Sequence, residues 1–516
     1  MTQLQSTDGR NFRKVLQAAL ARFLTGPWLL LALGVAFLIY ADYKFFSVEP
    51  QDVCADVEAA QQEHCRANIA EEKFKYGSLN AENDRGIPYP IFYVLPRVFP
   101  QCMPNGGVGG YRAFGLPWEE GRELPVGFSK RKLGFDRITQ TCAICHAASY
   151  RMSLKDKPEI VPAGPSHTTD TQAFLRFLRC AADDPNFTFD GMWDEIKRNF
   201  DMGLDDWAIY HAIIPIVRQR FKEQVEGFAW MDQDKFRPGM KRPGWGPGRD
   251  DPMNLTKFFL LHADRKTDQT TGNADFPAIW DISAREGHSL NYGGETLDPL
   301  AVFIDSALGL GAPPGPHFIR QMKDIRAYLQ RVKPPRYPLR PDATSSDVVA
   351  GATLYRDYCA DCHVTGGAYY GKVVPINDIG TDRERFDTWR QEDADGANRV
   401  AKEMGVERRN MIKDKGYVAG PLSGLWLKAP YLHNGAVANL REILTEPAKR
   451  KTVFYRGCDL YDPVNMGFVS DRIEPSCPSN FTFNTALPGN GKDGHAYGTG
   501  LSDEQKRQLL EYLKTL

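Results

Sequence analysis

Two short runs carry the chemistry open to this chain: Cys142-Ala143-Ile144-Cys145-His146 and Cys359-Ala360-Asp361-Cys362-His363. Cysteines three apart on a helical turn project from one face, within reach of two vinyl groups on the same porphyrin edge. The adjacent histidine can then swing under the metal. C-x-x-C-H is the attachment pattern of haem c, with two thioethers to the ring and one imidazole to the iron. A thioredoxin-like dithiol does not need the histidine, and a zinc ribbon needs paired knuckles rather than two distant runs. With only 10 Cys and 10 His in 516 residues, two chance copies are a poor explanation. The expected cofactors are two covalently bound haem c groups, with Cys142, Cys145, Cys359 and Cys362 as attachment points and His146 and His363 as iron ligands.

The elements that must position these runs can be read in outline. The length allows two or three domains, each with its own core. Charge is nearly balanced, 64 basic against 65 acidic residues, so nothing points to nucleic acid. The 46 Gly and 35 Pro suggest a loop-rich architecture. At the N-terminus, Arg10, Arg13, Lys14 and Arg22 precede an apolar run from Pro27 to Ala41. The expectation is a cytoplasmic stretch over residues 1–22 and an uncleaved transmembrane helix over 23–46. That arrangement places the chain in a bacterial inner membrane with its bulk in the periplasm. A cleaved signal peptide is the alternative, with the same bulk location. Six cysteines outside the motifs agree with export and disulfides, Cys54–Cys65 and Cys458–Cys477 being the pairs suggested by short loops.

Downstream, residues 47–85 read as a connecting helical segment. Residues 86–333 read as an N-terminal haem domain with an irregular, proline-rich arm from Ile87 to Arg97, and 344–516 as a C-terminal cytochrome c domain. Val348 to Asp357 looks like the helix feeding the second motif. Amphipathic helices bearing Tyr328-Leu329 and Tyr512-Leu513 follow the two motifs, and Ser502 with Gln505 forms a capping box. Pro277 to Trp280 before His288 and Gly294 has a counterpart in Leu425-Trp426 before His433 and Gly435. The predicted fold is therefore mainly α: two cytochrome c-like haem domains related by duplication, with an N-terminal transmembrane helix.

The two motifs, followed by Leu427-Lys428-Ala429-Pro430-Tyr431-Leu432-His433-Asn434-Gly435, resemble the bacterial di-haem cytochrome c peroxidase superfamily. Within it the chain is most similar to the rubber oxygenase branch. Pro125 to Lys130, Phe454 to Gly457 with Tyr461 to Asn465, and Gly494 to Thr499 support that branch. The resemblance implies an electron-storing C-terminal haem with two histidine ligands, His363 and His495, and an N-terminal haem left open for dioxygen or peroxide. It also places His433 near the haems. Rubber oxygenases are soluble and secreted, so an anchored chain makes polyisoprene a poor substrate.

Among the residues themselves, His495 sits in a Gly-rich loop, with Met466 as a rival ligand. For the first haem, His167, His211, His262, His288 and His317 are candidates. Phe258-Phe259, Phe276 and Trp280 could instead form an apolar distal wall, and Trp280 and Trp426 could carry electrons. The expected function is an oxidoreductase that takes electrons from a small redox protein or a quinol-linked donor. Its second haem would relay electrons and its first would activate dioxygen or peroxide. A pure electron-transfer cytochrome with both irons six-coordinate is the alternative.

Overall fold

The computed structural model describes residues 27–232, 242–264, 267–408, 410–413 and 415–516. The expected cytoplasmic stretch and the first residues of the expected anchor lie outside these. The Pro27–Phe46 helix is present, but among the described residues no helix is long and apolar enough to cross a membrane. The transmembrane expectation is thereby corrected. Leu29 to Ala41 makes roughly 20 Å of helix at about 1.5 Å per residue, against about 30 Å of hydrocarbon. Its last turns are polar and fastened to the body. The Tyr40 hydroxyl donates to Asp205 Oδ2 at 2.6 Å, and Lys44 Nζ pairs with the same atom at 2.6 Å.

The expectation of two duplicated haem domains also fails. The main apolar core runs from Val53 to Leu513 and draws on both halves of the chain. Three buried ion pairs cross between the halves: Arg151 with Asp459, Arg456 with Asp275, and Arg385 with Glu295, at 2.6, 2.5 and 3.0 Å. Removing one partner of such a pair strands a buried charge at a cost of about 3–5 kcal/mol, so these contacts weld the halves together.

The first half also carries elements that the second lacks. A hairpin of Phe128–Leu133 and Phe135–Gln140 gains Ile87–Pro88 as a third antiparallel strand beside Phe135–Gln140. Against this sheet sit the helices Tyr89–Val98, Thr171–Asp183, Phe189–Asn199 and Leu204–Phe228, around a second core rich in Phe and Tyr. The proline-rich arm is itself largely the Tyr89–Val98 helix. Pro90 falls in its first turn, where a missing N–H costs nothing. Helices dominate, but among the described residues ten further short strands, paired two by two, make this a helical fold with scattered two-stranded ribbons rather than a mainly α bundle.

Near the second motif the sequence reading holds well. The Ser346–Tyr358 helix crosses the Asp503–Leu513 helix, with Tyr355 and Tyr512 ring centres 5.1 Å apart. Ser502 and Gln505 form the expected capping box. Gly351 lets the helices touch. A Cβ there would run into the Gln508 carbonyl and lie 2.8 Å from the Tyr512 Cβ. Helix propensity alone makes Gly351→Ala a gain of about 1 kcal/mol, whereas overpacking the crossing costs about 1–3 kcal/mol. Gly351→Ala should therefore lower the melting temperature, and a raised one would show that the crossing has slack.

Candidate functional site

Each C-x-x-C-H run is one tight turn. The first is a 3-10 turn over Cys142–Ile144, capped by Thr141 Oγ1 accepting the Ala143 N–H at 3.2 Å. The second is the short Ala360–His363 helix, directly after the Ser346–Tyr358 helix. Their four thiols are free and half-buried. The other six cysteines form Cys54–Cys65, Cys102–Cys180 and Cys458–Cys477, so both pairs suggested by short loops are present. Burial pushes the Cys142 and Cys359 thiols up to about 11. A redox dithiol needs the opposite shift to make a thiolate at neutral pH.

Both motif histidines are gripped alike. His146 Nδ1 lies 2.9 Å from the Pro277 carbonyl, and His363 Nδ1 lies 2.8 Å from the Gly420 carbonyl. A carbonyl only accepts, so Nδ1 carries the proton and Nε2 keeps a free lone pair. Metal-bound histidines are oriented by this kind of second contact. Burial pushes His146 down to about 4. It also lowers His363, with the charge of Lys428 acting in the same direction. Both rings are therefore neutral, as ligation requires.

His495 faces His363, with ring centres 6.3 Å apart and planes inclined by 41°. That gap is too wide for stacking. One metal atom bound to both rings at about 2.0 Å, with about 1.1 Å from nitrogen to ring centre, spans roughly 6.2 Å. The residues therefore fit a haem iron held from two sides. Burial pushes His495 down to about 4, with His363 adding to the shift. Met466, the rival, is buried in the main core, where its sulfur receives the Tyr461 hydroxyl at 3.8 Å. Among the described residues, no aromatic or imidazole ring faces His146 as His495 faces His363.

The glycines around His495 serve packing against protein backbone. Gly494 lies against the 379–381 backbone, and the His495 N–H donates to the Ile379 carbonyl at 2.9 Å. Sequence reasoning missed the residue that holds this loop. Arg450, only 2% exposed, donates to the carbonyls of Lys492, Gly494 and His495 at 2.7, 2.8 and 3.1 Å. Its Nε reaches the Glu442 and Thr445 carbonyls. In sequence it sits in Lys449-Arg450-Lys451, which looks like a solvated basic face.

Asp250 was also missed. It is half-buried near Cys145, and burial followed by the neighbouring Asp251 charge pushes its carboxyl up to about 7.

The remaining expected residues lie between the two grips. Phe276 and Trp280 are buried on the segment that carries Pro277. Trp280 is wedged beside Gly164 and Gly424 and donates to the Ser423 carbonyl at 3.1 Å. His433 is buried, with Nε2 unpartnered, and its ring stacks on Tyr417 at 4.2 Å. The His433 carbonyl accepts the Asp275 N–H at 2.9 Å. His433 thus touches both the segment behind His146 and the strand leading to Gly420. Of the other histidines, His167 is buried and stacks on Phe468 at 3.7 Å, and His288 packs edge-on to Tyr370. His211, His262 and His317 are exposed.

Residues 416–455 match the family described as RoxA-like, cytochrome c-like. The matched segment contains Gly420, Trp426, the Leu427-to-Gly435 motif and Arg450. It supports kinship with the rubber oxygenase-like cytochromes, a haem c in this chain and a cytochrome-type oxidoreductase role. The chain is also 26% identical over 479 residues to uncharacterized protein y4iJ of Sinorhizobium fredii (strain NBRC 101917 / NGR234), covering 73% of this chain and 76% of that protein. Uncharacterized protein y4iM of the same organism is 27% identical over 285 residues, covering 47% of this chain and 64% of y4iM.

Arg450→Gln should cost about 3 kcal/mol or more, because several buried carbonyls lose a charged donor at once. Guanidinium unfolding together with limited proteolysis across residues 489–498 measures this. Unchanged stability and an intact loop would mean that the clamp is dispensable.

Proposed function

We propose that this chain is a di-haem c-type cytochrome of the di-haem peroxidase superfamily, working as an oxidoreductase with unequal sites. The observation that carries the proposal is the asymmetry between its two histidines. His363 has His495 opposite it at 6.3 Å, while His146 has the same backbone grip and, among the described residues, no facing ring. Haem c bound at both motifs would supply one-electron storage where two imidazoles hold the metal, and a place for dioxygen or peroxide where only one does.

The chain's own residues have separable tasks. Cys142, Cys145, Cys359 and Cys362 tether. Pro277 and Gly420 fix the imidazole tautomers. Arg450 holds the His495 loop in place, keeping the second site closed to exogenous ligands. Phe276 and Trp280 keep the segment behind His146 dry. Asp250, with its carboxyl poised near neutral pH, can hold or release a proton beside Cys145 as oxygen is reduced. Electrons would come from a small redox protein or a quinol-linked donor. The three disulfides favour an oxidising compartment outside the cytoplasm.

Carbon monoxide tests the asymmetry. The reduced protein should show a spectral shift from one haem only, and no shift from either would make it an electron carrier. His495→Ala should convert the second haem to high spin in the EPR spectrum and leave the first unchanged. An unaltered low-spin signal would remove His495 from the site.

A further inference from the structure

Three tyrosines surround Trp426 in the main core. Tyr150 meets its indole edge-on with ring centres 4.9 Å apart, Tyr461 at 5.3 Å and Tyr337 at 5.5 Å. All four side chains are buried. The second core is built mainly on phenylalanine, and phenylalanine would fill this space as well. Here instead are phenols and an indole, side chains from which one electron can be taken. Packing alone does not call for them. The Tyr337 hydroxyl is buried with no hydrogen-bond partner, which is less favourable than a phenylalanine at that place.

One of the three tyrosines is joined to the first motif. The Ala147–Tyr150 strand begins directly after His146, and four extended residues put Tyr150 roughly 13 Å from it along the chain. The Tyr461 N–H donates to the Arg151 carbonyl at 2.8 Å, and Arg151 pairs with Asp459, so the rings are held at fixed distances. A phenol gives up an electron readily only where its proton has somewhere to go. Tyr150 stands opposite Glu159 across the ribbon of Ala147–Tyr150 and Glu159–Pro162, and Glu159 is exposed. Burial pushes the Tyr150 hydroxyl up, and a hydrogen bond to Glu159 adds to the shift. The Tyr461 hydroxyl donates to the Met466 sulfur at 3.8 Å, a weak acceptor and no base.

We propose that Tyr150 is an internal electron donor to the first motif, with Glu159 as the acceptor of its phenolic proton. This deepens the di-haem reading above and rests on it. Reducing one hydrogen peroxide to two waters takes two electrons and two protons. One electron comes from the second site. The other leaves the Tyr150 phenol as its O–H bond breaks and the proton passes to the Glu159 carboxylate, while solvent supplies the two protons that peroxide consumes. A neutral tyrosyl radical remains at Tyr150. An electron from the small redox donor, with the proton returning from Glu159, restores the phenol. Trp426, which touches all three tyrosines, gives that returning electron a path through the core.

Freeze-quench EPR of the full-length, haem-loaded protein mixed with hydrogen peroxide tests the assignment. A tyrosyl signal should appear, and ring-deuterated tyrosine should narrow it. Tyr150→Phe, which removes only a hydroxyl, should abolish it, whereas Tyr111→Phe in the second core should leave it in place. Glu159→Gln should slow its appearance about a hundredfold, as loss of a positioned base does. A signal that survives Tyr150→Phe, is lost equally in Tyr111→Phe, forms as fast in Glu159→Gln, or narrows only with deuterated tryptophan would overturn the assignment. So would the absence of any radical from protein that carries both haems by mass and binds carbon monoxide at one of them. Protein whose mass shows no haem at the first motif would instead defeat the di-haem reading itself.

Discussion

The structure depends on two hydrogen bonds that link each motif histidine to a carbonyl far along the chain, 131 residues away for His146 and 57 for His363. A C-x-x-C-H turn by itself leaves its imidazole free to rotate and to choose either tautomer. The distant carbonyl removes both freedoms and leaves Nε2 as the atom able to bind metal. Everything that positions Pro277 and Gly420 is therefore part of the site, although neither residue would be noticed for its chemistry.

These carbonyl-bearing segments are held by a polar interior. Arg456 pairs with Asp275 and also donates to the Gly435 carbonyl at 2.9 Å. Arg249, fully buried, reaches the Asn434 carbonyl at 3.2 Å and Asn490 Oδ1 at 2.8 Å. Buried charges are weak stabilisers, because desolvation consumes much of their attraction. Their donors are directional, however, and a misplaced loop would leave several unsatisfied at once. An interior of this kind selects one arrangement of loops, which a loop-rich chain with two distant histidine–carbonyl contacts requires. His433 stands at its centre, with its backbone on the His146 side and its ring on Tyr417 of the His363 side.

Local features were legible where the physics is local. The two motif turns, the Ser502 capping box and the helix feeding the second motif follow from spacing and side-chain chemistry over a few residues. The Cys54–Cys65 and Cys458–Cys477 pairs follow from short loop closure in the same way. The proline-rich arm was harder to read, since Pro90 and Pro96 suggested irregular chain while the first-turn position of Pro90 permits a helix. The apolar run after Pro27 suggested a membrane span. Among the described residues, however, no helix is long and apolar enough to cross one, and the polar end of this helix is fastened to Asp205.

The sequence by itself determined which atoms can do chemistry: four thiols in two fixed spacings, the histidine after each pair, and a third histidine in a glycine-rich loop. Tertiary structure alone decided which ring faces which, that Arg450 clamps the His495 loop, and that the two halves share one core rather than forming separate copies. The physical reason is range. Thioether spacing and helix caps are set within one or two turns, whereas a ring-to-ring gap of 6.3 Å across 132 positions of chain depends on every buried contact between them.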